Sequence, residues 1–173
     1  TAAPAAEAAL NVVAAPAEPE RSKESVAVII IGHNSAAFLD ECLASVFAQW
    51  VKPDEVVYVD DGSEDESVFI AANYKDRGLF IVAQNRNRGM SQARMIGLDA
   101  TKSALLLFVD SDNVLPPNYL ATMLEDLGTN DFVYPAKQFI GDPRALEQRL
   151  RFHPTGEWIP RDANRAALWR ENY

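Results

Sequence analysis

Four short apolar runs, each ending in polar or charged residues and separated by segments of helical periodicity, constrain this chain more than any other feature. Residues 26–31 are apolar throughout and mostly β-branched, residues 79–83 and 104–109 supply two further runs, and residues 55–59 a fourth that is apolar after Glu55. Between the first two, residues 35–49 carry Phe38, Leu39, Cys42, Leu43, Val46 and Phe47 at spacings that predict a helix. Residues 64–74, 90–101 and 118–127 predict three more helices, and residues 131–134 a fifth strand. Strands alternating with helices of about 10–15 residues imply βαβ crossovers. Runs that are apolar at every position, rather than every second one, belong to strands covered on both faces. The expected fold is α/β and Rossmann-like, a mostly parallel central sheet with helices on both faces. Within residues 90–101, Ala93, Gly97 and Ala100 form a stripe of small residues. A glycine inside a helix costs about 1 kcal/mol, so Gly97 predicts a close approach of helix to sheet.

Composition narrows the function classes. The chain has 173 residues, with 16 Lys+Arg against 25 Asp+Glu and a formal charge of −9. That length predicts one domain. A chain this acidic lacks the basic face a non-specific nucleic-acid binder needs, so no nucleic-acid partner is expected. A single cysteine, Cys42, excludes a disulfide scaffold, and no apolar run approaches the roughly 20 residues of a membrane-spanning helix. Residues 1–24 hold nine Ala and three Pro and no aromatic residue, a composition that predicts a disordered arm or linker ahead of a domain at 25–173. There is no basic stretch before a leucine-rich core, so no signal peptide is expected and the cytoplasm is the default location, with membrane association or a larger particle as alternatives. An acidic chain that handles an anionic ligand needs a cation as intermediary.

In sheets of this kind ligands bind outside the carboxyl ends of the strands, so the residues following each apolar run carry the chemistry. They are Gly32-His33-Asn34, Asp60-Asp61-Gly62-Ser63, Asn85-Arg86-Asn87-Arg88-Gly89 and Asp110-Ser111-Asp112-Asn113. In Asp110-Ser111-Asp112, positions i and i+2 of an extended segment project to one side, which lets two carboxylates converge on a hard cation such as Mg²⁺ or Mn²⁺. The plainer reading is an acidic turn that caps the helix behind Pro116-Pro117. Gly62 permits a left-handed turn and Ser63 is placed to cap the next helix, while the two carboxylates exceed what capping requires. A carboxylate at a strand end can accept from a base N–H or a ribose hydroxyl. Arg94 follows a helix start at Gly89, where anions are favoured and a guanidinium can fork onto phosphate; alone, it reads equally as a solvated helix face.

Taken in order, residues 26–34, Asp60-Asp61-Gly62-Ser63, residues 87–98 and Asp110-Ser111-Asp112 resemble glycosyltransferase family 2, inverting enzymes of the GT-A fold that use nucleotide-sugar donors. The resemblance covers about residues 25–135, and residues 164–170 resemble the family's acceptor-side strand. It implies that the backbone near Ile31 and the side chain of His33 border the nucleobase, that Asp61 hydrogen-bonds the base and that Asp60 supports the turn. It implies further that Arg94 contacts the base or diphosphate and that Asp110 approaches the ribose. Asp112, with Asp110, would hold Mn²⁺ or Mg²⁺ on the diphosphate of a UDP- or GDP-linked sugar, stabilising the leaving group. Ile31 and His33 stand where the family often has Pro and Tyr; an imidazole can still stack on a base.

Family members continue to a Gly-rich turn and an acidic motif carrying the base that deprotonates the acceptor hydroxyl. Glu157 and Asp162 are the nearest carboxylates, and neither sits in such a motif. Glu157 beside Trp158 reads as a loop salt-bridge partner, so no catalytic residue is assigned. The expectation is therefore a nucleotide-binding part whose acceptor half is absent, with poor solubility or pairing where apolar surface is left open. The alternative is an inactive glycosyltransferase-like binding or structural module of a larger assembly. Neither donor sugar nor acceptor (glycan, lipid or protein) is readable. A haloacid dehalogenase-type phosphatase would carry its D-x-D on the first strand, a receiver domain would need acids after strand one, and a nucleotidyltransferase a Gly-rich basic loop there. None of these patterns is present.

Overall fold

The computed structural model describes residues 24–135, together with the backbone of residues 137–138 and 157–158. Strand β1 (Val26–Gly32) is followed by α1 (Leu39–Phe47), β2 (Glu55–Asp60), α2 (Ser67–Ala72), a 3₁₀ turn (Lys75–Arg77), β3 (Leu79–Ala83), α3 (Met90–Asp99), β4 (Leu105–Asp110) and α4 (Tyr119–Leu127). Two-residue strands β5 (Lys137–Gln138) and β6 (Glu157–Trp158) follow. The described residues fall into two compact units that part between Leu124 and Glu125.

In the first unit the sheet order is β3-β2-β1-β4, with every pairing parallel. All seven residues of β1 are buried, as a central strand covered on both faces requires. One face carries Val28, Ile30, Val56 and Tyr58 against Leu39, Cys42, Leu43 and Val46 of α1 and Ala71 of α2. The other presents Ile29, Ile31, Val57 and Val59 to Ala93 of α3. The chain therefore winds β1 to β3 in one direction, crosses back under α3 and lays β4 on the far side of β1. This is the α/β, Rossmann-like architecture expected from the sequence. In the second unit β5 and β6 pair antiparallel, Lys137 opposite Trp158.

Several boundaries differ from expectation for local reasons. Residues 35–38 form a turn in which the Ser35 carbonyl accepts from both Phe38 N and Leu39 N, so α1 starts at Leu39 rather than at Ser35. Phe38, expected on the apolar helix face, is instead 57% exposed. Residues 131–134 form no strand: α4 gives way to Gly128 at φ +48, and Phe132 and Tyr134 stack on each other with ring centroids 6.3 Å apart. Their aromatic composition reflects that mutual stacking rather than a place in a ladder. The readings of the arm at residues 1–23, of Asp162, of residues 164–170 and of the Glu157 side chain lie outside the described residues.

A neutral side chain fixes the segment beyond β4. Gln49, fully buried at the end of α1, donates through Nε2 to the carbonyls of Ser45 and Pro116 and accepts through Oε1 from Leu120 N. Ser45 Oγ adds an acceptor for Leu115 N. Residues 115–120 are thereby tied to α1 by side chains that satisfy otherwise buried backbone groups.

Gly97 makes the close approach that its position predicted. A Cβ there would collide with Ile29 Cγ2 and stand 3.3 Å from Val59 Cγ2, both on fully buried, β-branched side chains. Gly97→Ala is expected to destabilise the protein by about 1–3 kcal/mol, overpacking outweighing the gain in helix propensity. Urea denaturation followed by circular dichroism measures it, and a midpoint unchanged or raised would show that α3 can lift without cost.

Candidate functional site

Because β1 lies between β2 and β4, the connections leaving β1 and β4 diverge and open a crevice at the carboxyl edge of the sheet. A cleft of about 500 Å³ lies there. Ile31, Gly32, His33, Asn34, Ser35 and Phe38 form its first wall, Asp61 its floor on the β2 side, Asn87, Gly89 and Met90 its second wall, and Asp110, Ser111 and Asp112 its third. A second hollow of about 390 Å³, with no apolar side chain in its lining, shares His33, Asn34 and Asn87 with it. Strand register places Ile31 beside Asp110 and Gly32 beside Asp60. The tips are laced by backbone bonds, Ser111 N to the Ile31 carbonyl at 3.0 Å and Asp61 N to the Gly32 carbonyl at 2.8 Å.

The two adjacent aspartates perform different tasks. Asp60, 1% exposed, accepts from the Tyr58 hydroxyl, from Ser63 N and from Ser63 Oγ, so it closes its own turn. Burial and the neighbouring Asp60 charge push the Tyr58 phenol upward, which keeps it protonated and donating. Asp61, 3% exposed, reaches the next connection: Oδ1 accepts from Arg88 N at 2.9 Å and Oδ2 from Gly89 N at 2.8 Å. Each oxygen retains acceptor capacity beyond the bond it makes. Ser63 does not cap α2; the N–H of that helix's first residue, Ser67, is taken by Asp65 Oδ1 instead. The Ser63 hydroxyl is spent on Asp60, and it accepts from Asn34 N at 2.9 Å. Asn34, at φ +52, accepts in turn from Glu64 N through its Oδ1.

The acidic turn after β4 also differs from its sequence reading. Asp110 ends the strand, but Ser111 and Asp112 lie in a turn closed by Asn113 N on the Asp110 carbonyl at 2.9 Å, not in an extended segment. Asp110 and Asp112 nevertheless face the same cleft. Arg94 does not line the cleft; it stands at the rim and pairs with Asp110, Nη2 to Oδ1 3.6 Å, with both side chains about two-fifths exposed. Exposed pairs of this kind hold with about 0–1 kcal/mol, so the partners are readily exchanged. Among the described residues no group of three or more His, Cys, Asp or Glu is placed to hold a metal ion by itself. Asp110 and Asp112 could offer a cation two carboxylates. That suits a hard divalent cation that takes one or two protein carboxylates and completes its shell with water and phosphate oxygens.

Phe38 and Met90, 57% and 56% exposed, were not among the sequence candidates. Both lie at a helix start, Phe38 just before α1 and Met90 at the first residue of α3, where an apolar side chain has no core to enter. Ser35 and Ser111, buried at the base of the cleft, flank Gly32, where a Cβ would stand 2.5 and 2.7 Å from their hydroxyl oxygens.

The fold and this crevice define a Rossmann-like domain with carboxylates gathered at its β1/β4 switch point. The glycosyl transferase family 2 profile matches residues 27–172, and the chain belongs to that family. No curated relative matches the chain by sequence. Among solved structures, S. aureus TarS residues 1–349 is 28% identical, with a TM-score of 0.55, over 61% of this chain and 32% of that one. The same protein in complex with UDP-GlcNAc is 26% identical, TM-score 0.55, over 64% and 37%. The mannosyltransferase PcManGT from Pyrobaculum calidifontis, in complex with GDP-Man and Mn²⁺, is 25% identical with a TM-score of 0.58, over 75% and 39%. The sheet is that of the GT-A fold, and the chain spans about a third to two fifths of the length of these structures. Among the described residues, no helix is long and apolar enough to cross a membrane.

Cys42 lies beneath the acidic turn, its Sγ 3.8 Å from the Asp110 carbonyl. Burial first, then the charges of Asp112 and Asp110, push its thiol up to about 12. Because only the thiolate reacts, Cys42 at pH 8 is expected to react with a thiol reagent at least about 100-fold more slowly than an exposed cysteine. Unfolding in guanidinium is expected to release one reactive thiol per chain. A fast reaction of the native protein would mean that the turn does not cover it.

Proposed function

We propose that this chain forms the donor-binding part of a glycosyltransferase that moves a sugar from a nucleotide sugar to an acceptor hydroxyl with inversion. The observation that carries the reading is the convergence of Asp61, Asp110, Asp112 and His33 on one cleft at the β1/β4 switch point of a family 2 chain. In this reading the Ile31 backbone and the His33 ring border the nucleobase, and Asp61 accepts from a base N–H with the capacity its loop bonds leave. Asp60 holds the turn that presents Asp61. Asp110 accepts from a ribose hydroxyl, while Arg94, loosely held by Asp110, is available to a diphosphate oxygen. Residues 25–173 are taken as this donor-binding part, and 1–24 as the arm that joins it to its surroundings.

A nucleoside diphosphate entering a cleft with three carboxylates meets repulsion, and Arg94 already faces one of them, Asp110. Asp112, with Asp110, would hold Mn²⁺ or Mg²⁺, which bound there neutralises the diphosphate and stabilises it as a leaving group. The bound nucleotides named for TarS and PcManGT, and the Mn²⁺ of the latter, support a nucleotide-sugar partner and a divalent cation.

Calorimetric titration of UDP and of GDP, with and without Mn²⁺, tests this reading. Binding is expected with Mn²⁺, and Asp112→Ala is expected to weaken it at least about tenfold, or about 1.4 kcal/mol. Equal affinity without the cation, or in the variant, overturns the metal role. No binding by folded protein under any condition overturns the donor site and leaves a structural module as the better reading.

A further inference from the structure

The turn after β2 is fastened to the β3–α3 connection at two places, and only one of them uses a side chain. Asp61 accepts the N–H groups of Arg88 and Gly89. Beside it Gly62, at φ +74, has the backbone of Arg86 and Asn87 packed where a side chain would be. A Cβ on Gly62 would overlap the Arg86 carbonyl carbon and stand 2.6 Å from both Arg86 Cα and Asn87 N. These are backbone atoms, so no rotamer change relieves the overlap, and the whole connection would have to withdraw. That connection carries Asn87, Gly89 and Met90, one wall of the cleft, and leads one helical turn later to Arg94. On its other flank the same turn grips the β1–α1 loop through Ser63 and Asn34.

We propose that Gly62 is a positioning residue for the donor site: by having no side chain it sets how closely the Asn87–Met90 wall stands to the His33–Asn34 wall, and so fixes the width of the cleft before ligand arrives. The proposal rests on the donor-site reading above. Gly62 itself touches no ligand in this account and acts through the backbone of Arg86 and Asn87.

Gly78 provides a matched control. It too has a positive φ, +96, but a Cβ there would meet nothing within 4 Å, and it ends the 3₁₀ turn outside the cleft lining. An alanine at either position incurs the backbone strain of a left-handed residue. Only at Gly62 does it push on the wall. UDP with Mn²⁺ is titrated into the wild type, Gly62→Ala and Gly78→Ala, each shown to be folded by circular dichroism. The expected result is a Kd raised at least about tenfold in Gly62→Ala and unchanged within about twofold in Gly78→Ala. Wild-type binding with unchanged affinity in Gly62→Ala overturns the proposal alone, as does an equal loss in both variants. Absence of binding by the wild type overturns the donor-site reading and the proposal with it. Should Gly62→Ala not fold, amide hydrogen exchange of the wild type decides the point. Protection of Arg88 and Gly89 N–H in ligand-free protein is expected, and protection that appears only when UDP and Mn²⁺ are added overturns a preset wall.

Discussion

A strand buried along its whole length cannot carry polar chemistry until it ends. All seven residues of β1 are covered, by α1 and α2 on one face and by α3 on the other, and its backbone pairs on both sides. Any charged side chain along it would lose hydration without gaining a partner, so the polar residues are driven to the tips. The two neighbours of β1 end in the same way, β2 in Asp60 and β4 in Asp110. The crevice at the switch point inherits its acidity from that arrangement, and its depth from the separation of β2 and β4 by a single intervening strand.

Much of this was legible in the sequence because it rests on local pattern. Strands β1 to β4 lie within a residue of the apolar runs, and the stripe of Ala93 and Gly97 announced how closely α3 seats on Ile29. The polar tips identified three of the cleft's walls. What the sequence did not show depends on partners far along the chain. The bonds from Asp61 to Arg88 and Gly89 bridge 27 and 28 residues and end on backbone N–H groups, which have no residue signature. Ser63 looked like a helix cap because serine is a favoured N-cap residue; its hydroxyl is claimed by Asp60 instead. Phe38 read as core because it is apolar and at helical spacing, yet it falls in the turn before α1 and is exposed.

Charge organises the site as much as shape. The cleft gathers Asp61, Asp110 and Asp112, and the Arg94 guanidinium is already opposite one of them. Salt screens so exposed a pair, whereas the buried bonds of Asp60 and Asp61 are hardly affected. The walls therefore hold their places while the charges between them are free to be rearranged.

The tether beyond β4 shows the same separation by different means. Gln49 grips the Pro116 carbonyl and Leu120 N through an amide that carries no charge at any pH proteins tolerate. The acidic turn just upstream can thus have its charge cancelled without that change reaching its anchor. Had the anchor been an ion pair, each shift in acidity or salt would have loosened the loop together with its ligand. An amide leaves the scaffold indifferent to the electrostatics it supports.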